Sequence, residues 1–166
     1  MSKINIVLAD DHVLVRKGIK SMLESDTEIQ VIGEAGNGKE LLKVVEQHRP
    51  DVVITDIMMP VLDGIEACRI IHSNFGETRV IALSMFNEDN LVIDMLEAGA
   101  TGYLLKNTNR AELLEAVGRP EEALQWYRSL PQLHFDAVVY QAPASRRVEA
   151  IVAAAGGEGD EPTSRR

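Results

Sequence analysis

Five stretches of the chain are apolar with few breaks: KINIVLA (3–9), IQVIGEA (29–35), DVVITD (51–56), TRVIALS (78–84) and TGYLLK (101–106). They are short and, for the most part, rich in Val, Ile or Leu. Runs of this kind predict strands buried on both faces, as in a parallel sheet. Between them, apolar residues recur at helical spacing over 13–25, 38–48, 64–74 and 88–98. Gly99 stands where the last of these helices would end. Regular alternation of strands and helices predicts an α/β fold, a doubly wound parallel sheet with right-handed crossovers.

Such sheets bind ligands beyond the carboxyl ends of their strands. Polar residues stand at those ends here: Asp10 and Asp11 after the first strand, Asp56 after the third, Ser84 after the fourth and Lys106 after the fifth. In a flavodoxin-like order, 2-1-3-4-5, the first and third strands are neighbours, and these residues converge on one rim. Carboxylates about 4 Å apart at an effective dielectric near 20 repel by roughly 4 kcal/mol per pair. The rim therefore predicts a bound cation or retained protons. Oxygen-only ligands favour Mg2+. A divalent ion beside the Lys106 ammonium suits an incoming phosphoryl group, and a carboxylate there can be the nucleophile. Asp56, central and followed by IMMP, is the candidate. A hydroxyl at Ser84 can hydrogen-bond the new anion, and its movement would open space for the aromatic ring of Tyr103, so a local charge event would bias a two-state surface. His12 and His72 read as surface histidines, and Cys68, on an apolar helix face, as core.

Charge and composition narrow the function classes. The 166 residues carry a formal net charge of −9, which argues against nucleic acid as the main partner. The single cysteine suits a reducing compartment. No apolar run reaches the roughly 20 residues a membrane helix needs, and the N-terminus lacks the shape of a signal peptide. A soluble cytoplasmic protein is expected, with no membrane partner.

Beyond residue 117 the composition shifts. Residues 118–166 contain no Lys, Asn or Met and one Ile, against twelve Ile in the first 117. The pattern still alternates: a helix over 120–130, a strand over 135–141 and a helix over 144–155. This organisation predicts a domain over 1–117, an appended helix–strand–helix over 118–155 packed on the same sheet, and a flexible tail over 156–166. The appendage would add a sixth parallel strand or replace the last helix of the first domain.

The motifs ADDH (9–12), PDVVITDIMMPVLDG (50–64), ALS (82–84) and GYLLK (102–106) resemble the receiver domain of two-component response regulators, most closely the LuxR-type group, over residues 3–117. The resemblance implies that Asp56 accepts phosphate from a sensor histidine kinase. It implies that Asp11, Asp56 and the Met58 carbonyl bind Mg2+ directly, with Asp10 helping through water. Lys106 would contact the phosphate, Ser84 would swing toward it, and Tyr103 would rotate inward. LuxR-type regulators carry a DNA-binding helix-turn-helix, which 118–166 does not resemble, so no DNA partner is expected. Phosphatases with an aspartyl intermediate place a second acid where Met58 stands, so no enzymatic turnover is expected. Within 120–155, FDAVVY, QAPAS and RRVEAIV are similar to part of uroporphyrinogen-III synthases. That implies an engineered or recombined chimera, without synthase activity. A structural chimera with no signalling output is the alternative to a phosphoacceptor switch. Kinase, output partner and oligomeric state are not legible in the sequence.

Overall fold

The computed structural model describes residues 2–85, 89–106, Leu113, Ala116, Val117 and Val139–Tyr140. All five apolar runs form strands: β1 (Ile4–Ala9), β2 (Ile29–Ala35), β3 (Val52–Asp56), β4 (Arg79–Ser84) and β5 (Gly102–Leu105). Helices α1 (Val13–Glu24), α2 (Gly38–His48), α3 (Gly64–Asn74) and α4 (Asp89–Glu97) connect them. The five strands are parallel in the order β2-β1-β3-β4-β5. This is the doubly wound, flavodoxin-like arrangement.

Strand alternation divides the core into two clusters, one on each face. Val7, Ala9, Val53, Val80, Ala82 and Tyr103 pack with Leu41 and Val45 of α2, Ala67 and Ile71 of α3, and Met95 of α4. Ile6, Leu8, Ile54, Ile81, Leu83 and Leu104 pack with Ile19 and Leu23 of α1. Burial of each such large aliphatic side chain stabilises by about 1.5–3 kcal/mol. With apolar residues on both faces, the strands read as unbroken hydrophobic runs.

Two helices start on side-chain caps. Asn37 accepts from the Glu40 amide at 2.9 Å, and Asp63 from the Glu66 amide at 2.8 Å. At the second of these starts the chain passes very close to β3. The Gly64 amide donates to the Ile57 carbonyl at 2.8 Å, and a Cβ at Gly64 would lie 2.1 Å from the Asp56 carbonyl oxygen. Only glycine lets α3 begin this close to the end of β3. Val61, in the same connection, is held at φ +70, a left-handed conformation unfavourable for a β-branched residue.

One expectation is corrected. A sixth strand, β6 (Val139–Tyr140), lies on the β5 edge as expected, but antiparallel rather than parallel: Gly102 pairs with Tyr140 and Tyr103 with Val139. An antiparallel neighbour does not require the crossover that a parallel one does. Leu113, Ala116 and Val117 are helical and buried in the α1-side cluster. Residues before the compositional break thus cover part of that face. The helices expected over 120–130 and 144–155, the rest of the strand over 135–141 and the tail over 156–166 lie outside the described residues. Among the described residues, no helix is long and apolar enough to cross a membrane.

Candidate functional site

β1 and β3 run side by side, with Ala9 opposite Thr55. The next residues, Asp10 and Asp56, therefore stand together at the carboxyl edge. Asp56 continues the inward row of Val52 and Ile54 and is 5% exposed; Asp10 is 2% exposed. Lys106 follows β5, its backbone amide bonded to the Ser84 carbonyl at 2.8 Å. Its side chain reaches across β4 to both acids: Nζ lies 2.8 Å from Asp10 Oδ2 and 2.9 Å from Asp56 Oδ2. The contact with Asp10 is an ion pair without the angle of a directed hydrogen bond.

Burial pushes the Asp56 carboxyl above the usual range. Lys106 opposes this, and Asp10 and Asp11 reinforce it. For Lys106, burial favours the neutral amine, but the paired carboxylates of Asp10 and Asp56 outweigh it and raise its pKa above the ordinary value. The ammonium is thus locked on at neutral pH and holds two acids that would otherwise repel.

Asp11, half exposed, completes the acidic set. The His12 ring is also drawn in, with Nδ1 3.2 Å from Oδ1 of Asp10 and 3.2 Å from Oδ1 of Asp11. One carboxylate oxygen from each of Asp10, Asp11 and Asp56 and a ring nitrogen of His12 all lie within 4.8 Å of one another. Three carboxylates at this spacing fit a hard divalent cation.

The remaining expected residues surround this cluster. Ser84 is buried at the end of β4, on the alternation row of Val80 and Ala82. Tyr103 pairs with Ala82 and is buried on that same face, already inside the core. Ser84 and Tyr103 thus belong to one face and Asp56 and Asp10 to the other. Met58, two residues beyond Asp56, turns its side chain to solvent. Sequence reasoning missed two participants. Arg16 of α1 donates from its guanidinium to the Asp10 carbonyl and so braces the end of β1. His12, read as a surface residue, is exposed but engaged with both acids. Its signal was its place directly after two carboxylates.

The model of the response regulator receiver domain family matches residues 6–118. Among curated relatives, the uncharacterized transcriptional regulatory protein YxjL of Bacillus subtilis (strain 168) is 40% identical over 115 residues, 69% of this chain and 53% of the relative. The transcriptional regulatory protein DegU of Brevibacillus brevis is 38% identical over 116 residues, 70% of this chain and 49% of the relative. The chain spans about half the length of these relatives. The signal receiver domain of the response regulator NarL from Mycobacterium tuberculosis superimposes with a TM-score of 0.69 at 33% identity, covering 78% of this chain and 99% of that one. CheX–CheY–BeF3–Mg2+ from Borrelia burgdorferi gives a TM-score of 0.66 at 30% identity, over 70% of this chain and 87% of that one. With the five-strand order, the acidic rim and the matched span in agreement, the chain belongs to the response regulator receiver domain family.

Proposed function

We propose that this chain is a phosphoacceptor whose Asp56 carboxylate takes a phosphoryl group from the phosphohistidine of a sensor kinase. An Asp56 oxygen attacks phosphorus, the aspartyl O–P bond forms, and the N–P bond to the donor imidazole breaks. The observation that carries this reading is the buried Lys106 ammonium bridging Asp10 and Asp56. It is poised to leave the Asp56 oxygen and pair with the phosphoryl oxygens, so charge that develops there meets a cation already in place. Asp10, Asp11, Asp56 and the Met58 carbonyl would hold Mg2+. The ion would supply neutralisation of the phosphoryl oxygens. Ser84 would donate to the phosphoryl group from β4, and Tyr103, on the same face, would hold the repacked state.

The relatives are named as transcriptional regulators and are about twice as long as the matched region. A transcriptional output through a further DNA-binding region is therefore part of the proposal, in place of the expectation that DNA is no partner. The resemblance of 120–155 to uroporphyrinogen-III synthase, and the chimera it implied, gain no support from the comparisons and have no part in it.

Fluorine NMR of beryllofluoride tests the site. A bound signal that needs both Mg2+ and Asp56 is expected. An equal signal from Asp56→Asn would remove Asp56 from the assignment.

A further inference from the structure

The start of α1 has no side-chain cap. His12 stands at the N-cap position but makes no capping hydrogen bond, whereas Asn37 and Asp63 cap α2 and α3. Arg16, in the first turn of α1, ties this start to the sheet instead. Its guanidinium donates to the Asp10 carbonyl at the end of β1 and, at 3.5 Å, to the Ala35 carbonyl at the end of β2. Glu34 Oε2 lies 3.9 Å from Arg16 Nε, and the arginine side chain is only 17% exposed. The bond from the Asp10 amide to the same Ala35 carbonyl, at 3.1 Å, closes the pairing of β1 with β2. The Asp10 carbonyl lies just past that bond, in the peptide that joins Asp10 to Asp11. A cation in the first turn opposes the helix dipole, so helix stability does not account for Arg16. Two roles remain: a counter-charge for the acids, or a brace on the peptide between them.

We propose that Arg16 is a positioning residue for phosphorylation. By spanning the ends of β1 and β2, its guanidinium fixes the Asp10–Asp11 peptide, keeps both carboxylates at the spacing a divalent ion needs, and so raises the affinity of the rim for Mg2+. The proposal rests on the reading of the rim as a cation site and adds a residue that acts on it through the backbone. The counter-charge role predicts the opposite sign. With a brace removed, the acids spread and metal affinity falls. With a repelling cation removed, the acids attract Mg2+ more strongly and affinity rises.

Calorimetric titration of the full chain with Mg2+ separates the two roles. Arg16→Ala should bind Mg2+ about tenfold more weakly than the wild type. Arg16→Lys keeps the charge but lacks the planar fork, so it should also bind more weakly. Melting in chelator shows whether each variant is folded, and if Arg16→Ala is not, Arg16→Lys carries the test. Unchanged or tighter Mg2+ binding in a folded variant, beside normal binding by the wild type, would overturn the positioning role alone. Absence of Mg2+ binding by the wild type would overturn the cation reading and the positioning role together. Labelling of Asp56 by a small acyl phosphate should be slow in Arg16→Lys at low Mg2+ and recover when the ion is raised. A rate that stays low at saturating Mg2+ would overturn an action through metal affinity.

Discussion

The two ends of the sheet solve opposite problems. At the amino edge, polar groups close onto backbone. Asp51 accepts from the Asn5 amide at 2.7 Å, and its own amide donates to the Asn5 carbonyl at 2.9 Å. The Thr78 hydroxyl donates to the Pro50 carbonyl at 2.8 Å. At the carboxyl edge, the side chains of Asp10, Asp56 and Lys106 are buried, where Asp51 is exposed, and their charges face one another. The first edge stitches strands together. The second stores unfavourable burial of charge that one cation relieves, and a stored imbalance is what an incoming phosphoryl group can use.

Substitutions at each edge should show this contrast. The largest effect on stability is expected from Lys106→Met, which leaves two buried acids without their cation. It should destabilise by about 3 kcal/mol in chelator. Mg2+ should restore much of that loss, read as a metal-dependent urea midpoint. Gly64→Ala sets a methyl group against the Asp56 carbonyl and should cost about 2–3 kcal/mol, with no recovery by metal. Asp51→Ala, at the stitching edge, should cost about 1 kcal/mol, independent of metal. Val61→Gly should stabilise by about 1 kcal/mol, because it relieves a left-handed β-branched residue.

pH sharpens the same contrast. Folding raises the Asp56 pKa, so the folded state binds that proton more tightly than the unfolded chain. Its contribution favours folding at pH below the ordinary value of 3.8 and declines as pH rises through the raised folded value. Asp56→Asn should therefore flatten that part of the stability profile and raise the melting temperature at neutral pH. Metal affinity should run the other way, falling as Asp56 is protonated. The Lys106 contribution is fully present below 10.5 and is lost as pH rises through its raised folded value.

Much of this was legible in the sequence because burial and chemistry coincide with strand ends. The unbroken apolar runs located β1 to β5, and the residues that end them, Asp10, Asp56 and Lys106, met where the strand order required. Three features were not legible. FDAVVYQ reads as a strand but carries no sign of direction, so the antiparallel pairing of Val139–Tyr140 could not be read from it. The helical residues Leu113, Ala116 and Val117 lie beside the compositional break, where the residue usage changes. His12 depends on where a ring turns, which sequence spacing does not encode; the unused cap is visible only in three dimensions.

The central claim is that Asp56, held beside Asp10 and Lys106, is the residue that accepts phosphate. Intact-mass and peptide-mapping spectrometry after incubation with Mg2+ and a small acyl phosphate tests it most directly. One phosphoryl group per chain, located on the peptide that contains Asp56 and absent from Asp56→Asn, is the predicted result. Equal incorporation in the variant, or a phosphoryl group mapped to any other residue of the wild type, would contradict it.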